Sequence, residues 1–153
     1  MPHDGLTFAL AFAAFALLAL DATLRWRRRR FGWLTWTVLA VATSHIGCVW
    51  AFRFDWDAGA MWAKSAFAFV LFHGAAACLA VSAASREPVR TRGVWCAFAI
   101  VCAGAVPAPF RYPEIAWLRT PVIAVAAASV VAATLPRRAA DRERQSRGDA
   151  AAG

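Results

Sequence analysis

Five long runs of apolar residues set the strongest constraint on what this chain can fold into. A membrane-spanning helix needs about 20 mostly apolar residues, with a range of roughly 17 to 25. Five segments approach or meet that length, and they lie at positions 6–24, 31–52, 61–84, 94–109 and 115–135. Composition agrees, because 61% of the 153 residues are hydrophobic and 17% are charged, against about 25% charged residues in soluble domains. The sequence therefore predicts an all-α, polytopic membrane bundle.

The number of crossings is predicted to be five, with four as the open alternative. The fourth segment is the shortest, and the fifth carries Arg119 near its start. Short connections and the lack of an internal repeat predict a single bundle over residues 1–136. Residues 137–153 contain five arginines and almost no large apolar side chains, so they are predicted to form a disordered basic tail.

The distribution of positive charge predicts the orientation of that bundle. Thirteen of the 17 basic residues fall in three groups, which follow the first, third and fifth apolar segments at 25–30, 86–92 and 137–147. In a five-pass protein all three groups lie on one side, and positive loops stay in the cytoplasm. We therefore expect an outside N-terminus, a cytoplasmic C-terminus and a multi-pass location in the inner (plasma) membrane. The lipid bilayer, and not nucleic acid, is the predicted partner of these arginines.

Polar and aromatic residues concentrate at the opposite side, above all in residues 44–64, SHIGCVWAFRFDWDAGAMWAK. Ionisable groups below the membrane surface are costly in lipid and are functional candidates, each with a partner to be named. The predicted ligand or partner site comprises the polar and aromatic residues of this side, namely His45, Arg53, Asp55, Asp57, Trp62, Lys64, Arg111, Glu114 and Arg119.

Specific ion pairs are expected within that site. Lys64, the only lysine of the chain, is expected to pair with Asp55 or Asp57, and Arg119 with Glu114. The competing interpretation is that these charges reach out to the membrane surface while the tryptophans form an ordinary interfacial belt.

Two histidines supply an alternative function. His45 and His73 fall on adjacent antiparallel helices, as bis-imidazole ligation of a b-type haem requires. At 1.5 Å per residue their predicted depths differ by about 8 Å, which helix tilt would have to absorb. Structural hydrogen bonding, proton transfer and quinone contact are the other roles considered for these two residues.

Other ionisable and reactive residues predict structural roles. Asp21 stands four residues before Arg25, so an ion pair on one face of the first helix is expected, with a proton relay as the less favoured reading. Four cysteines are spread over three apolar segments without a CxxC pair, which predicts small core residues and no metal site.

The function predicted from the sequence is binding without catalysis. The chain contains no glycine-rich phosphate loop, HExxH motif or nucleophile elbow. We expect an accessory subunit of a membrane complex, or a small-molecule-binding membrane protein, with its polar site at the non-cytoplasmic face. A haem b or quinone redox protein is the first alternative, and a small transporter, which at this size would have to form a homo-oligomer, is the second.

Overall fold

The prediction of an all-helical chain is confirmed. In this computed structural model the described residues are 2–111 and 113–134, without the side chains of residues 2–4, 109, 111, 113, 114, 133 and 134. Within these ranges every regular element is a helix. The residues of the predicted basic tail, 137–153, lie outside the described part of the chain.

The helices follow the apolar segments. In chain order they are α1 (Pro2–Trp26), α2 (Gly32–Arg53), α3 (Ala58–Ala84), α4 (Val89–Ala105), the single turn α5 (Ala108–Arg111), a 3-10 helix (Pro113–Leu118) and α6 (Arg119–Thr134).

Four of the helical segments in the described residues are long and apolar enough to cross a membrane. They are Gly5–Trp26, Gly32–Arg53, Ala58–Ala84 and Ile115–Ala132. The predicted fourth span, 94–109, differs from the observed α4 at both ends. The helix has 17 residues and takes in Arg90 and Arg92, which the prediction left in the preceding loop. It ends before Pro107, whose ring removes a backbone donor.

Helix α1 is the central element, because it contacts α2, α4 and α6. Its sequence alternates alanine with phenylalanine and leucine, and small residues let helices approach closely. The buried core is formed by apolar side chains from all the long helices, including Leu18 of α1, Val38 of α2, Leu79 of α3, Phe98 of α4 and Val122 of α6. Helix α3 packs mainly on α4 and less extensively on α2.

The ends of several helices meet at one end of the bundle. Helix α1 ends in a Schellman motif, in which the Arg29 amide donates to Leu24 O at 2.9 Å and Arg28 adopts a left-handed φ of 59°. The Arg27 side chain then donates to the carbonyl of Ala132 in the last turns of α6, at 3.2 Å. The C-terminal ends of α1 and α6 therefore meet, so the two helices run in the same direction.

Helix α3 ends at the same end of the bundle. Arg90 of α4 donates to the carbonyl oxygens of Ser82 and Ala83, both at 3.1 Å. A guanidinium at this position bonds two carbonyls of the last turn, of which Ser82 O also accepts from the Ser85 amide, and complements the negative end of the helix dipole. The arginines near 86–92 and 25–30 thus lie beside one another, where the sequence alone showed only that both follow apolar segments.

Candidate functional site

The turn between α2 and α3 contains two of the predicted site residues, Asp55 and Asp57. The Asp57 amide donates to Phe54 O at 2.7 Å, and Asp55 and Trp56 both have positive φ, 45° and 62°. This pattern is that of a type I′ turn. The Asp57 carboxylate accepts a hydrogen bond from the Ala60 amide at 3.0 Å and so caps the N-terminus of α3. Asp57 has a structural role, and Asp55 helps to form the turn.

The predicted pairing of Lys64 with either aspartate is not formed. The Lys64 side chain is exposed, and no ion pair joins it to a carboxylate whose side chain the structure describes. Arg53 lies with its guanidinium 5.3 Å from the ring centre of Phe8. Arg119 lies 5.3 Å from that of Phe110. The described charges of this end are therefore spread around the bundle.

Two further residues of the predicted site, Arg111 and Glu114, have side chains outside the described part of the chain. The expected pair of Arg119 with Glu114 is therefore untested. Trp62 is described, and its exposed ring meets Phe69 edge-on with 5.6 Å between ring centres.

A break in α3 explains the position of Lys64. Ser65 has φ −167° and ψ 89°, outside the helical region. Its hydroxyl accepts a hydrogen bond from the Ala68 amide at 3.2 Å, and so caps a second helical segment. That segment, 66–84, is about 28 Å long at 1.5 Å per residue, close to the roughly 30 Å of a hydrocarbon core. Lys64 therefore precedes this second segment, and its side chain is exposed.

The two histidines have different partners. His73 donates from Nδ1 to Phe69 O at 2.7 Å and accepts at Nε2 from the Trp50 indole at 3.1 Å. His45 hydrogen-bonds through Nδ1 to the carbonyl of Thr7 on α1 at 3.0 Å. Both ring nitrogens of His73 are thus engaged, and a haem iron could be ligated there only if the bond from Trp50 were broken. Among the described residues no group of three or more His, Cys, Asp or Glu side chains could hold a metal ion.

Trp50, which donates to His73, also lines an open apolar groove, which we call the α2 groove. It has a volume of about 360 Å³ and is lined by Thr43, Ile46, Gly47, Trp50 and Trp56. No side chain or neighbouring helix comes within 4 Å of a Cβ built on Gly47. The rings of Trp50 and Trp56 lie 6.2 Å apart, so the groove opens beside the turn that contains Asp55 and Asp57.

The sequence contained a signal for this groove that motif searching does not use. Ala40, Thr43, Ser44 and Gly47 recur at spacings of three and four, which puts small residues on one face of α2. Three of them are exposed and Gly47 is half-buried. The buried residues of α2, by contrast, are Leu34, Thr35 and Val38, all in its first two turns.

A buried polar cluster lies at the other end of the bundle; we call it the Arg25 cluster. Arg25 donates to Asp21 Oδ1 at 2.8 Å, to Thr35 Oγ1 at 2.6 Å and to Glu87 Oε1 at 2.5 Å. Thr35 donates to Asp21 Oδ2 at 2.7 Å, and Thr91 donates to Glu87 Oε2 at 2.6 Å. The predicted Asp21–Arg25 pair is confirmed, but the sequence did not show that α2 and the α3–α4 connection complete it.

The Arg25 cluster makes the stability of the protein depend on pH through Glu87. Burial by itself would raise the pKa of Glu87, but the hydrogen bond from Thr91 and the charges of Arg25 and Arg30 bring it below its ordinary value of 4.5. A carboxyl group with a lowered pKa stabilises the fold above its unfolded pKa. That contribution is lost as the pH falls through the lower, folded value.

We therefore expect Glu87→Gln to flatten the acid limb of stability against pH. The wild-type protein should lose more unfolding free energy than the variant between neutral pH and about pH 4 or below. Unfolding in mixed micelles, followed by circular dichroism across this pH range, measures the difference. Asp55→Asn, which alters an exposed carboxylate in the turn at the opposite end, is the control and should keep the wild-type slope. Parallel slopes for wild type and Glu87→Gln would contradict the assignment.

Comparison of the chain with models of known protein families, with curated proteins and with solved structures found no match. The class that the fold defines, over the described residues, is an all-helical bundle with four helices long and apolar enough to cross a membrane. Its function has to be argued from its own residues.

Proposed function

We propose that the chain is an integral protein of the inner (plasma) membrane that crosses it five times, with the N-terminus outside. The support is the parallel course of α1 and α6, which follows from the contact between Arg27 and Ala132. An even number of crossings between these helices would make them antiparallel. Helix α4, although short, would then provide a crossing of about 25 Å at 1.5 Å per residue. The arginines that follow α1 and α3 share one end, which the positive-inside rule assigns to the cytoplasm.

Within that membrane we propose that the protein acts by binding and not by catalysis, as an accessory subunit that docks a transmembrane helix of a partner in the α2 groove. The observation that carries this proposal is the open face on the outer half of α2, where small residues and Gly47 leave room for another backbone. Helices associate in lipid through such faces, because small side chains permit close approach and good van der Waals contact. The polar residues Asp55 and Asp57 then lie at the rim of the site.

A hydrophobic small molecule is the other occupant that the groove would fit. Its volume of about 360 Å³ falls in the range of roughly 300 to 1,000 Å³ typical of small-molecule sites. The open side of the groove and the extended row from Ala40 to Gly47 favour a helix, because they continue along α2 for two turns.

The described geometry does not favour the two alternatives. A haem held by Nε2 of His45 and His73 would have to displace the Trp50 hydrogen bond to His73, whereas His45 would keep its Nδ1 contact with Thr7. A transporter that attracts a charged solute through Lys64 and Arg119 would need them to face a common cavity. Lys64 is exposed, and the Arg119 guanidinium lies against the ring of Phe110.

The test is Gly47→Leu, which fills the groove, with Gly5→Leu as its matched control. Gly5 also has nothing within 4 Å of an added Cβ and lies near the same end of the bundle, on α1. We expect Gly47→Leu to reduce the recovery of a co-purifying membrane protein by about 10-fold or more, equivalent to about 1.4 kcal/mol of binding free energy. Gly5→Leu should leave it unchanged. Quantitative mass spectrometry after purification in mild detergent measures both.

A photo-reactive residue at Ser44, on the same face, identifies the occupant. An adduct of protein size supports the docking of a helix, and an adduct of the chain with itself assigns the groove to a homo-oligomer. An adduct of small-molecule mass would replace the subunit proposal with the small-molecule one. If Ser44 and a control position on α1 label only bulk phospholipid, and equally, the groove is not a specific site.

A further inference from the structure

Two cysteines that are far apart in the sequence meet between α3 and α4. The sulfur atoms of Cys78 and Cys96 are 3.8 Å apart, and both cysteines are free thiols. A disulfide has a sulfur–sulfur distance of about 2.05 Å, so rotation about the side-chain bonds has less than 2 Å to close. No sequence motif pairs these residues, which lie in different apolar segments.

The close approach of α3 and α4 at Gly93 makes this meeting possible. A Cβ built on Gly93 would overlap Ser82 Oγ and would lie 3.3 Å from the carbonyl oxygen of Cys78. Cys96 stands one helical turn beyond Gly93, and Cys78 one turn before Ser82. Both thiols therefore lie one turn from this close helix contact, which favours the short Cα–Cα separation that a disulfide requires.

The thiol pair borders an open apolar groove on the outer surface of the bundle. This α3–α4 groove has a volume of about 430 Å³, and it is lined by Ala77, Cys78, Val81, Val89, Arg92, Gly93 and Cys96. Cys96 is exposed, as are the apolar residues Val81 and Val89. Cys78 lies six residues from the end of α3, about 9 Å along the helix. If α3 crosses the bilayer as proposed, the thiols face lipid, and Arg92 marks the border with water.

We propose that Cys78 and Cys96 form a redox-active thiol pair, which a lipid-soluble quinone oxidises to a disulfide between α3 and α4. In this step the two S–H bonds break and one S–S bond forms. The two electrons and two protons pass to the quinone, which leaves as the quinol. A dithiol reductant reverses the reaction by thiol–disulfide exchange through a mixed disulfide. The apolar α3–α4 groove accepts the quinone ring, and the product disulfide ties two helices that already touch.

The experiment uses the full-length protein in liposomes, with the Cys48→Ser and Cys102→Ser substitutions combined so that only the pair remains. Duroquinone is the probe, because its fully substituted ring offers no free position for thiol addition. Trypsin then releases residues 65–86 and 93–111, each with one cysteine. We expect both maleimide-reactive thiols to disappear, the two peptides to be linked with loss of two hydrogens, and one quinol to form per bond. Dithiothreitol should restore the thiols.

Three comparisons distinguish the closeness of the two thiols from their oxidation by a quinone. Adding Cys96→Ser to the same background should abolish the linked peptide and the quinol, which shows that both thiols are needed. Copper phenanthroline, a general oxidant, should link the pair in the parent protein. Linkage by copper phenanthroline without any by duroquinone overturns the quinone reaction, and linkage by neither overturns the pair itself. Faster oxidation by glutathione disulfide from the aqueous phase than by duroquinone overturns the lipid-side route.

Discussion

Replacing Arg25 with methionine is expected to lower the free energy of unfolding by about 3 to 5 kcal/mol, the range found when one partner of a buried ion pair is removed. The Arg25 side chain is fully buried and Asp21 is 1% exposed. Methionine fills much of the same volume but donates no hydrogen bond. Asp21 would keep only the bond from Thr35, and Glu87 would lose its contact with α1. The loss comes from the uncompensated carboxylates more than from the missing attraction.

A conservative variant and a matched control are compared with Arg25→Met. Arg25→Lys keeps the charge, but an ammonium lacks the planar fork that reaches Asp21, Thr35 and Glu87 at once, so an intermediate loss is expected. Arg29→Met removes an arginine from the same group, where it is exposed, and should change stability by less than about 0.5 kcal/mol. The free energy of unfolding in mixed micelles measures all three variants.

Removing the buried carboxylate as well tests the mechanism. If uncompensated charge causes the loss, Asp21→Asn combined with Arg25→Met should recover part of the stability, because no full charge then remains on α1 at this site. Equal losses for Arg25→Met and Arg29→Met would show that the cluster does not hold α1, α2 and the α3–α4 connection together.

The Arg25 cluster also shows how much of the fold the sequence could predict. Hydropathy predicted the apolar segments, because each helix in lipid must satisfy its own backbone and so appears as one continuous run. The i, i+4 spacing predicted that Asp21 pairs with Arg25. Neither signal could place Thr35 and Glu87 beside them, because these contacts depend on how helices are arranged around one another.

The expected pairing of Lys64 with Asp55 or Asp57 was wrong for a related reason. The residues around Asp55 and Lys64 were grouped because they share one side of the membrane. In the structure, however, Asp57 caps a helix, Arg53 lies against Phe8, and Lys64 precedes a break at Ser65. Sharing a depth does not make side chains face one another. The α2 groove was missed because its signal is the lack of side-chain volume at Gly47 and its neighbours, and charge and motif searches do not register it.

The second large effect is expected at Gly93, where alanine should destabilise the protein by about 1 to 3 kcal/mol, the usual cost of adding a methyl group to a close-packed contact. The new Cβ would overlap Ser82 Oγ, which is itself held by a hydrogen bond to Cys78 O at 2.5 Å. Helices α3 and α4 would have to separate. The matched control is Gly74→Ala on α3, where an added Cβ has nothing within 4 Å and the better helix propensity of alanine should make the change neutral or stabilising.

A double-mutant cycle with Ser82→Ala tests whether the clash is the cause. Removing the Ser82 hydroxyl leaves the Cβ of residue 82 and Cys78 O, each 3.3 Å from the added methyl, which small shifts can accommodate. The pair of substitutions should therefore cost less than the sum of the two single losses, with a coupling free energy of about 0.5 kcal/mol or more. Simple additivity would mean that the two positions do not touch.

The same Gly93→Ala change, made with Cys48→Ser and Cys102→Ser, should also slow the formation of the Cys78–Cys96 disulfide. The reason is that the added methyl group forces apart the helix contact that brings the two thiols together.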